Sequence, residues 1–310
     1  MRTRMLMQLA IFFLFLLISY TAVENPFTSS YIEGLNKEAL MVTKLQDPLY
    51  EEIKKRAVEF EEPPIDAVVD RVWKAIPGYN GLKVDIDASF EKMKLGDGFD
   101  KSKLVFKQVP PAVHLADLPP TPIYKGNPEK PMVTFLVNVA WGNEYLPTML
   151  KVLNERHIKT TFFLDGSWTK NHPTLAKMIL EEGHEIGNHA YSHPDMKQLT
   201  AARIHEEIEK TNDVIFATLE VTPKWFAPPS GSFRQEVVDI AASLNMKTIL
   251  WSVDTVDWKK PNTGEMVTRV LNKVHPGAMI LMHPTEPTAN GLNSLIEGIQ
   301  AKGYHIGTVS

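Results

Sequence analysis

From position 132 to 302 the chain alternates short apolar runs with amphipathic stretches of helical length. This alternation constrains the fold more than any other feature. A short run that is apolar throughout suits a strand buried on both faces, and such strands belong to parallel sheets. Neighbouring parallel strands need long crossovers, usually helices. The runs fall at 132–139, 160–164, 248–251 and 278–282. Between them, helical spacing is marked by Tyr145, Met149 and Leu150, then by Leu175, Met178 and Ile179. Ile204, Ile208 and the apolar residues 214–216 mark a third helix, and Val237, Val238, Ala241 and Leu244 a fourth. Helices also fit 265–274 and 292–302. Repeated strand–helix units imply a parallel sheet, open or closed into a barrel. In barrels the chemistry lies at the C-terminal strand ends, so residues directly after the apolar runs are the candidates for function.

The region ahead of 131 is organised differently. Arg2 and Arg4 precede an apolar run at 9–18, the pattern of an export signal. Cleavage after Ala22 would place bulky Tyr20 where a small residue is preferred, and 5–23 is also long enough to span a bilayer. Residues 1–23 therefore read as a signal peptide or a membrane anchor, and the protein is expected outside the cytoplasm, secreted or held at the envelope. Residues 24–62 read as a linker or loose helix. Ile65, Val68, Val69, Val72, Trp73 and Ile76 recur at helical spacing after Pro63-Pro64, with Pro77-Gly78 as the stop, which predicts a helix. On that stripe Trp73 reads as core and not as a ligand platform. Strands are predicted at 82–86, where Leu82, Val84 and Ile86 alternate with polar residues, and at 104–106. Residues 63–118 thus form an expected small α+β module, joined by a proline-rich linker at 119–130 to the β/α region 131–310.

Composition excludes several functions. There is no cysteine, so disulfides, thiolate metal sites and thiol nucleophiles are excluded. Lysine and arginine total 33 against 37 acidic residues, and the net charge of -4 argues against a nucleic-acid partner.

The strongest functional motif is Asn188-His-Ala-Tyr-Ser-His-Pro194, after the strand-like His184-Glu-Ile-Gly187. Two histidines four apart can close on one divalent ion. Spacing alone favours the plainer reading, two loop histidines with unrelated hydrogen bonds. The surrounding motifs change that balance. Thr160-Thr-Phe-Phe-Leu-Asp-Gly166, Glu185-Ile-Gly-Asn-His-Ala-Tyr-Ser-His-Pro194, Trp251-Ser-Val-Asp-Thr-Val-Asp-Trp258 and Ile280-Leu-Met-His283 occur in order over 130–310. This region resembles the polysaccharide deacetylase family, the NodB homology domain of carbohydrate esterase family 4. The resemblance implies an α/β fold with a deformed (β/α)7-type barrel. It also implies a metal-dependent enzyme that removes acetyl groups from peptidoglycan or chitin-like oligosaccharides. In that family the metal, zinc or a similar divalent ion, polarises the acetamide carbonyl and activates water. Carried over by position, His189 and His193 match the metal histidines and His283 the general acid. Asp257 and Trp258 match a supporting pair. Trp141, Pro228, Pro229, Ser230 and Trp258 are expected along the substrate groove.

The resemblance fails at particular residues. The family's first motif carries two adjacent aspartates, a base and a metal ligand. Alignment through Trp141, Tyr145 and Pro147 sets Asn138 on the base and Val139 on the ligand. An amide is not a proton acceptor at neutral pH, and valine has no donor atom. Ala227 stands where the family has an arginine. Asp165 follows an apolar run and offers a carboxylate that would complete a site with His189 and His193. The reading favoured for Asp165 is a solvated cap of the next turn. Neither Ser192 nor Ser230 has a motif that would activate it as a nucleophile. Two functions follow from these residues. One is an extracytoplasmic deacetylase with an altered, weak metal site. The other is a pseudoenzyme that binds cell-wall glycan, or a protein partner, without metal or hydrolysis.

Overall fold

A computed structural model describes residues 2–23, 25, 27, 29–34, 44 and 47–310. Much of the loose helix expected within 24–62 lies outside these residues. The chain divides into two compact units. One takes the chain up to Pro63 together with Gly81–Val109, and the other takes Pro64–Asn80 together with Pro110–Ser310. In chain order the strands are β1 (Val68–Asp70), β2 (Lys74–Ile76), β3 (Gly81–Val84), β4 (Phe106–Val109), β5 (Met132–Val139) and β6 (Thr161–Leu164). They continue with β7 (Glu185–Asn188), β8 (Trp225–Phe226), β9 (Lys247–Thr248), β10 (Val253–Asp254), β11 (Met279–Met282) and β12 (His305–Gly307).

The first unit contains the N-terminal helix Arg2–Val23, whose 19-residue stretch Thr3–Thr21 is long and apolar enough to cross a membrane. It also contains the antiparallel pair β3–β4 and the helices Pro48–Ala57 and Ile86–Met93. Asp85 caps the latter by accepting the Ala88 N–H. Ile53, Ala57, Val84, Phe90, Met93 and Leu104 form its core.

The second unit begins with the segment expected as a helix after Pro63-Pro64. Residues 65–76 are not a helix but carry the antiparallel hairpin β1–β2. The Asp70 carboxylate accepts the N–H groups of Val72 and Trp73, both at 2.7 Å, and so takes two donors that a helix would need. Lys74 completes the turn with a left-handed φ of 61°. The β-branched valines that mimicked a helical stripe fit a strand better. Trp73 is half-buried beside His275, with the Lys125 ammonium over its ring.

The barrel is a parallel sheet in the order β10-β11-β5-β6-β7-β8-β9, with β12 added to β5. Its closure explains why it is deformed. β9 pairs with β8 and β10 with β11, yet β9 and β10 are the two ends of one continuous stretch, 247–254. The proline-rich segment, expected as a linker, packs into this seam. Ile123 donates to Thr248 and accepts from Leu250, while Gly126 donates to Gly277. Ile123 is 2% exposed, in a cluster with Leu136, Phe163, Ile249 and Met279.

Side-chain alternation along β5 separates two apolar layers. Phe135, Val137 and Val139 join a cluster with Leu146, Met149 and Leu153 of the covering helix Leu146–Glu155. Leu136 turns to the opposite layer, with Phe163 and Ile249. If Ile123 locks the seam, Ile123→Ala will destabilise the fold by about 2–5 kcal/mol, the usual cost of a large-to-small core change. Urea denaturation will check this, with a lowered midpoint at constant m.

Candidate functional site

Because the barrel strands are parallel, their C-terminal ends open at one mouth. β5 ends on Asn138 and Val139, β10 on Asp254; Asp165, His189, Ala227 and His283 directly follow β6, β7, β8 and β11. A groove of about 350 Å³ there is lined by Asn138, Trp141, His193, Ser230, Trp251, Asp254, Trp258, Leu281 and His283. It gathers six of the residues expected from the sequence. His189, Asp165 and Asp257 are buried beneath the surface. Pro228 and Pro229 are also buried and do not line the groove, because Ser230 takes the left-handed turn, φ 53°, that reaches it.

His189 is fully buried, and its ring lies 5.2 Å from that of His193. Its Nδ1–H donates to the Ala227 carbonyl at 2.7 Å, since a carbonyl can only accept. Nε2 therefore carries the lone pair, and that atom is buried without a protein partner. Burial, aided by His193, pushes the His189 pKa down to about 3. Burial also lowers His193, partly opposed by the Asp165 carboxylate. Both imidazoles are neutral near pH 7. Ala190 and His193 hold left-handed φ values of 60° and 54°. Buried Glu207 fixes this loop by accepting the N–H groups of Tyr191 and Ser192 and the Ser192 hydroxyl, and it pairs with Arg203.

Across the groove, the His283 Nδ1–H donates to the buried Asp257 carboxylate at 2.8 Å. Asp257 also accepts the His283 backbone N–H and the Thr288 hydroxyl, both at 2.6 Å. Burial works against its charge, but these donors and His283 hold it below the usual carboxylate range. The His283 Nε2 is left free of that pair. Trp141 stacks on His283 at 5.1 Å and 19°, and meets His193 edge-on at 6.1 Å. Gly142, at φ +83°, permits this: any Cβ there would collide with the Pro284 carbonyl.

The degenerate positions are equally defined. Asn138 is buried, and its Oδ1 has no protein partner. Val139 is 0% exposed within the apolar core. Ala227 is buried, and its N–H donates to Asn188. Asp165 caps the turn as expected, accepting Trp168 N–H and Ser167 hydroxyl at 2.9 and 2.6 Å. It is buried, however, and not solvated. Burial raises its pKa, with its hydrogen bonds opposing.

The tautomer of His189 suits a metal ligand, but the site does not complete one. Among the described residues no three histidine, cysteine, aspartate or glutamate side chains converge on a common point. Val139 contributes no donor, and one Asp165 oxygen is already committed to two hydrogen bonds. The residues present do not fit a tightly held divalent ion.

Three groove residues were not singled out in the sequence: Trp251, Asp254 and Leu281. Asp254 ends β10, so the strand-end rule would have found it had 253–254 been recognised as a strand. Glu207 was also missed. It lies between Ile204 and Ile208 on the buried stripe of the Ala201–Leu219 helix, an unusual place for an acid.

Barrel and mouth together define a carbohydrate-esterase-type protein, and comparison with known proteins agrees. The profile described as polysaccharide deacetylase matches residues 125–249. Bacillus subtilis YlxY is 55% identical over 301 residues, 97% of this chain and 94% of that protein. The peptidoglycan-N-acetylmuramic acid deacetylase PdaA of Bacillus subtilis is 32% identical over 189 residues, 58% of this chain and 71% of that protein. The crystal structure of wild-type BA3943 from Bacillus anthracis, described as a CE4 family pseudoenzyme, superposes with a TM-score of 0.80 at 50% identity, covering 85% of this chain and 94% of that one. The chain belongs to the polysaccharide deacetylase family.

The buried neutral imidazole makes stability depend on pH. The folded pKa of His189 lies below its unfolded value of 6.5, so the unfolded chain binds the proton more readily. The stability this contributes is fully present above 6.5 and is lost as pH falls from there toward about 3. His189→Gln keeps a donor for the Ala227 carbonyl but cannot titrate. Melting curves of wild type and variant should converge as pH is lowered through this window. A gap that stays constant would show that His189 is not buried neutral.

Proposed function

We propose that this protein is a non-hydrolytic member of its family that binds amino-sugar glycan of the cell envelope in the groove at the barrel mouth. One observation carries the reading. Where the metal-binding carboxylate is needed stands Val139, packed into the apolar core, and beside it the base position offers only the Asn138 amide. In this reading His189 and His193 are what remains of the metal site. His283 and Asp257 are what remains of the general acid and its support, while Trp141, Ser230 and Trp258 still wall the groove. Family deacetylases are generally metal-dependent, and a general base alone is worth about 10²–10⁴ in rate. A chain without the base or the third ligand loses both contributions.

The relatives support the ligand class. They include PdaA and a Bradyrhizobium chitooligosaccharide deacetylase at 31% identity, proteins named for peptidoglycan and for chitooligosaccharide. The description of BA3943 as a pseudoenzyme supports the loss of hydrolysis. The apolar helix Arg2–Val23 supports an extracytoplasmic site, with the protein secreted or anchored. A second reading, slow hydrolysis with weakly bound metal, is favoured by the intact Asp257–His283 pair and by the free Nε2 of His189.

Zinc analysis of the purified protein and an acetate-release assay on chitooligosaccharides separate the two. The expected outcome is well under one zinc per chain and no release above background. One zinc per chain with measurable turnover would overturn the pseudoenzyme reading. The restored combination Asn138→Asp, Val139→Asp and Ala227→Arg, assayed with zinc, should exceed every single substitution by about 100-fold, because a metal without a base and a base without a metal each leave the reaction unsupported. Val139→Asp alone should cost about 3 kcal/mol or more in stability, since it places an unpaired carboxylate in the core.

A further inference from the structure

The groove has a character that hydrolysis does not require. Three tryptophans, Trp141, Trp251 and Trp258, line it together with the Asp254 carboxylate. Asn138, Ser230 and Leu281 add no charge. His283 directs Nδ1–H onto the buried Asp257 carboxylate. Asp254 is only half-buried. One of its oxygens accepts the Val256 N–H at 2.7 Å, and among the described residues no lysine, arginine or histidine pairs with it. The groove therefore presents an unneutralised carboxylate among aromatic faces.

Those faces are held in place. The Trp251 ring packs on Gly231, where an added Cβ would come within 2.7 Å of it. Trp141 is fixed by its stack on His283. Trp258 is 52% exposed and already has the Lys259 ammonium 4.9 Å from its ring centroid, so this ring attracts cations. Indole faces and a carboxylate around one cavity attract a cation through the ring quadrupole and through charge-assisted hydrogen bonding. For a bare metal ion the lining offers one carboxylate, Asp254, which is too few for a hard divalent cation. The volume of about 350 Å³ is that of an organic ligand.

We propose that the groove reads de-N-acetylated amino sugar: a hexosamine unit within a glycan whose free, protonated amine meets Asp254 and the indole faces around it. The inference rests on the glycan-binding reading and specifies which form of the glycan is preferred. Discrimination acts from both sides. The ammonium gains a counter-charge and aromatic faces. An acetamide at the same place would cover the carboxylate and leave it without a counter-charge, which is costly once water is displaced.

Calorimetry on the full chain in detergent micelles, in mildly acidic buffer, tests this with two ligands: a β-1,4-linked glucosamine tetramer and its fully N-acetylated counterpart. The amine tetramer should bind about tenfold more tightly. Asp254→Asn keeps an oxygen for the Val256 N–H, so its fold is preserved, and it should bring the two affinities within about twofold. Trp258→Ala should weaken both. Equal or tighter binding of the N-acetylated tetramer by wild type would overturn the inference while leaving glycan binding intact. Asp254→Asn with an unchanged preference would overturn the role of the carboxylate. Failure of both tetramers to bind would overturn the glycan-binding reading and the inference together.

Discussion

Strand β5 is the constraint on which the rest of the barrel depends. It pairs with β11, β6 and β12, and nearly every residue along it is buried. A strand enclosed on both faces tolerates no slip in register, because a shift of one residue would exchange its two side-chain layers. Its alternation already divides the protein. Phe135, Val137 and Val139 face the helix-covered layer, and Leu136 faces the opposite one. Asn138 reaches the groove at the end of the same strand. The positions that would carry the base and one metal ligand are thus consecutive residues of the most constrained strand, and their chemistry cannot be altered independently of the packing around them.

The opposite wall is held by hydrogen bonds and does not need a metal to stay in shape. Ala190 and His193 sit in the left-handed region, at a cost of order 1–3 kcal/mol each, and such conformations persist only where the surroundings over-determine them. Glu207 supplies that restraint through three hydrogen bonds to residues 191–192, and Asn188 adds another to the Ala190 N–H. Asp257, with Thr288, likewise fixes the His283 ring. The imidazoles are therefore preorganised by protein contacts, and the wall keeps its shape with Val139 at the end of β5.

What was legible in the sequence follows this division. The β/α alternation gave the parallel sheet because buried parallel strands leave long apolar runs; the family resemblance gave its closure into a barrel and the roles carried over to Asn138, His189 and His283, while the strand-end rule alone led to Asp165. The hairpin at 65–76 was hidden because Ile65, Val68, Val69 and Val72 fit a helical period, while the deciding interaction, Asp70 with two backbone donors, is local and leaves no periodic trace. Ile123 was hidden for a different reason. Proline spacing marks extended chain but not what that chain packs against, and Ile123 acts through a seam with residues more than a hundred positions later. Asp254 escaped because β10 is two residues long, too short to show as a run.

The substitutions also redistribute the cost of the site. A pair of adjacent carboxylates at the end of a buried strand repel each other and are poorly solvated, so they are tolerable only when a cation holds them. Replacing one with Val139 turns that liability into core packing. A cost remains at the other position and in the histidine beneath it: Asn138 Oδ1 and His189 Nε2 are buried without a protein partner, and an unsatisfied buried polar atom costs about 1–3 kcal/mol. Both residues belong to the groove or to the layer directly beneath it. A polar ligand that reaches them relieves that cost, and the relief adds to its affinity. In the non-hydrolytic reading proposed above, the site therefore keeps its capacity to bind. Asn138 Oδ1 and His189 Nε2 remain as acceptors, and in that reading they favour a ligand rich in donors, such as an amino sugar with hydroxyl and ammonium groups.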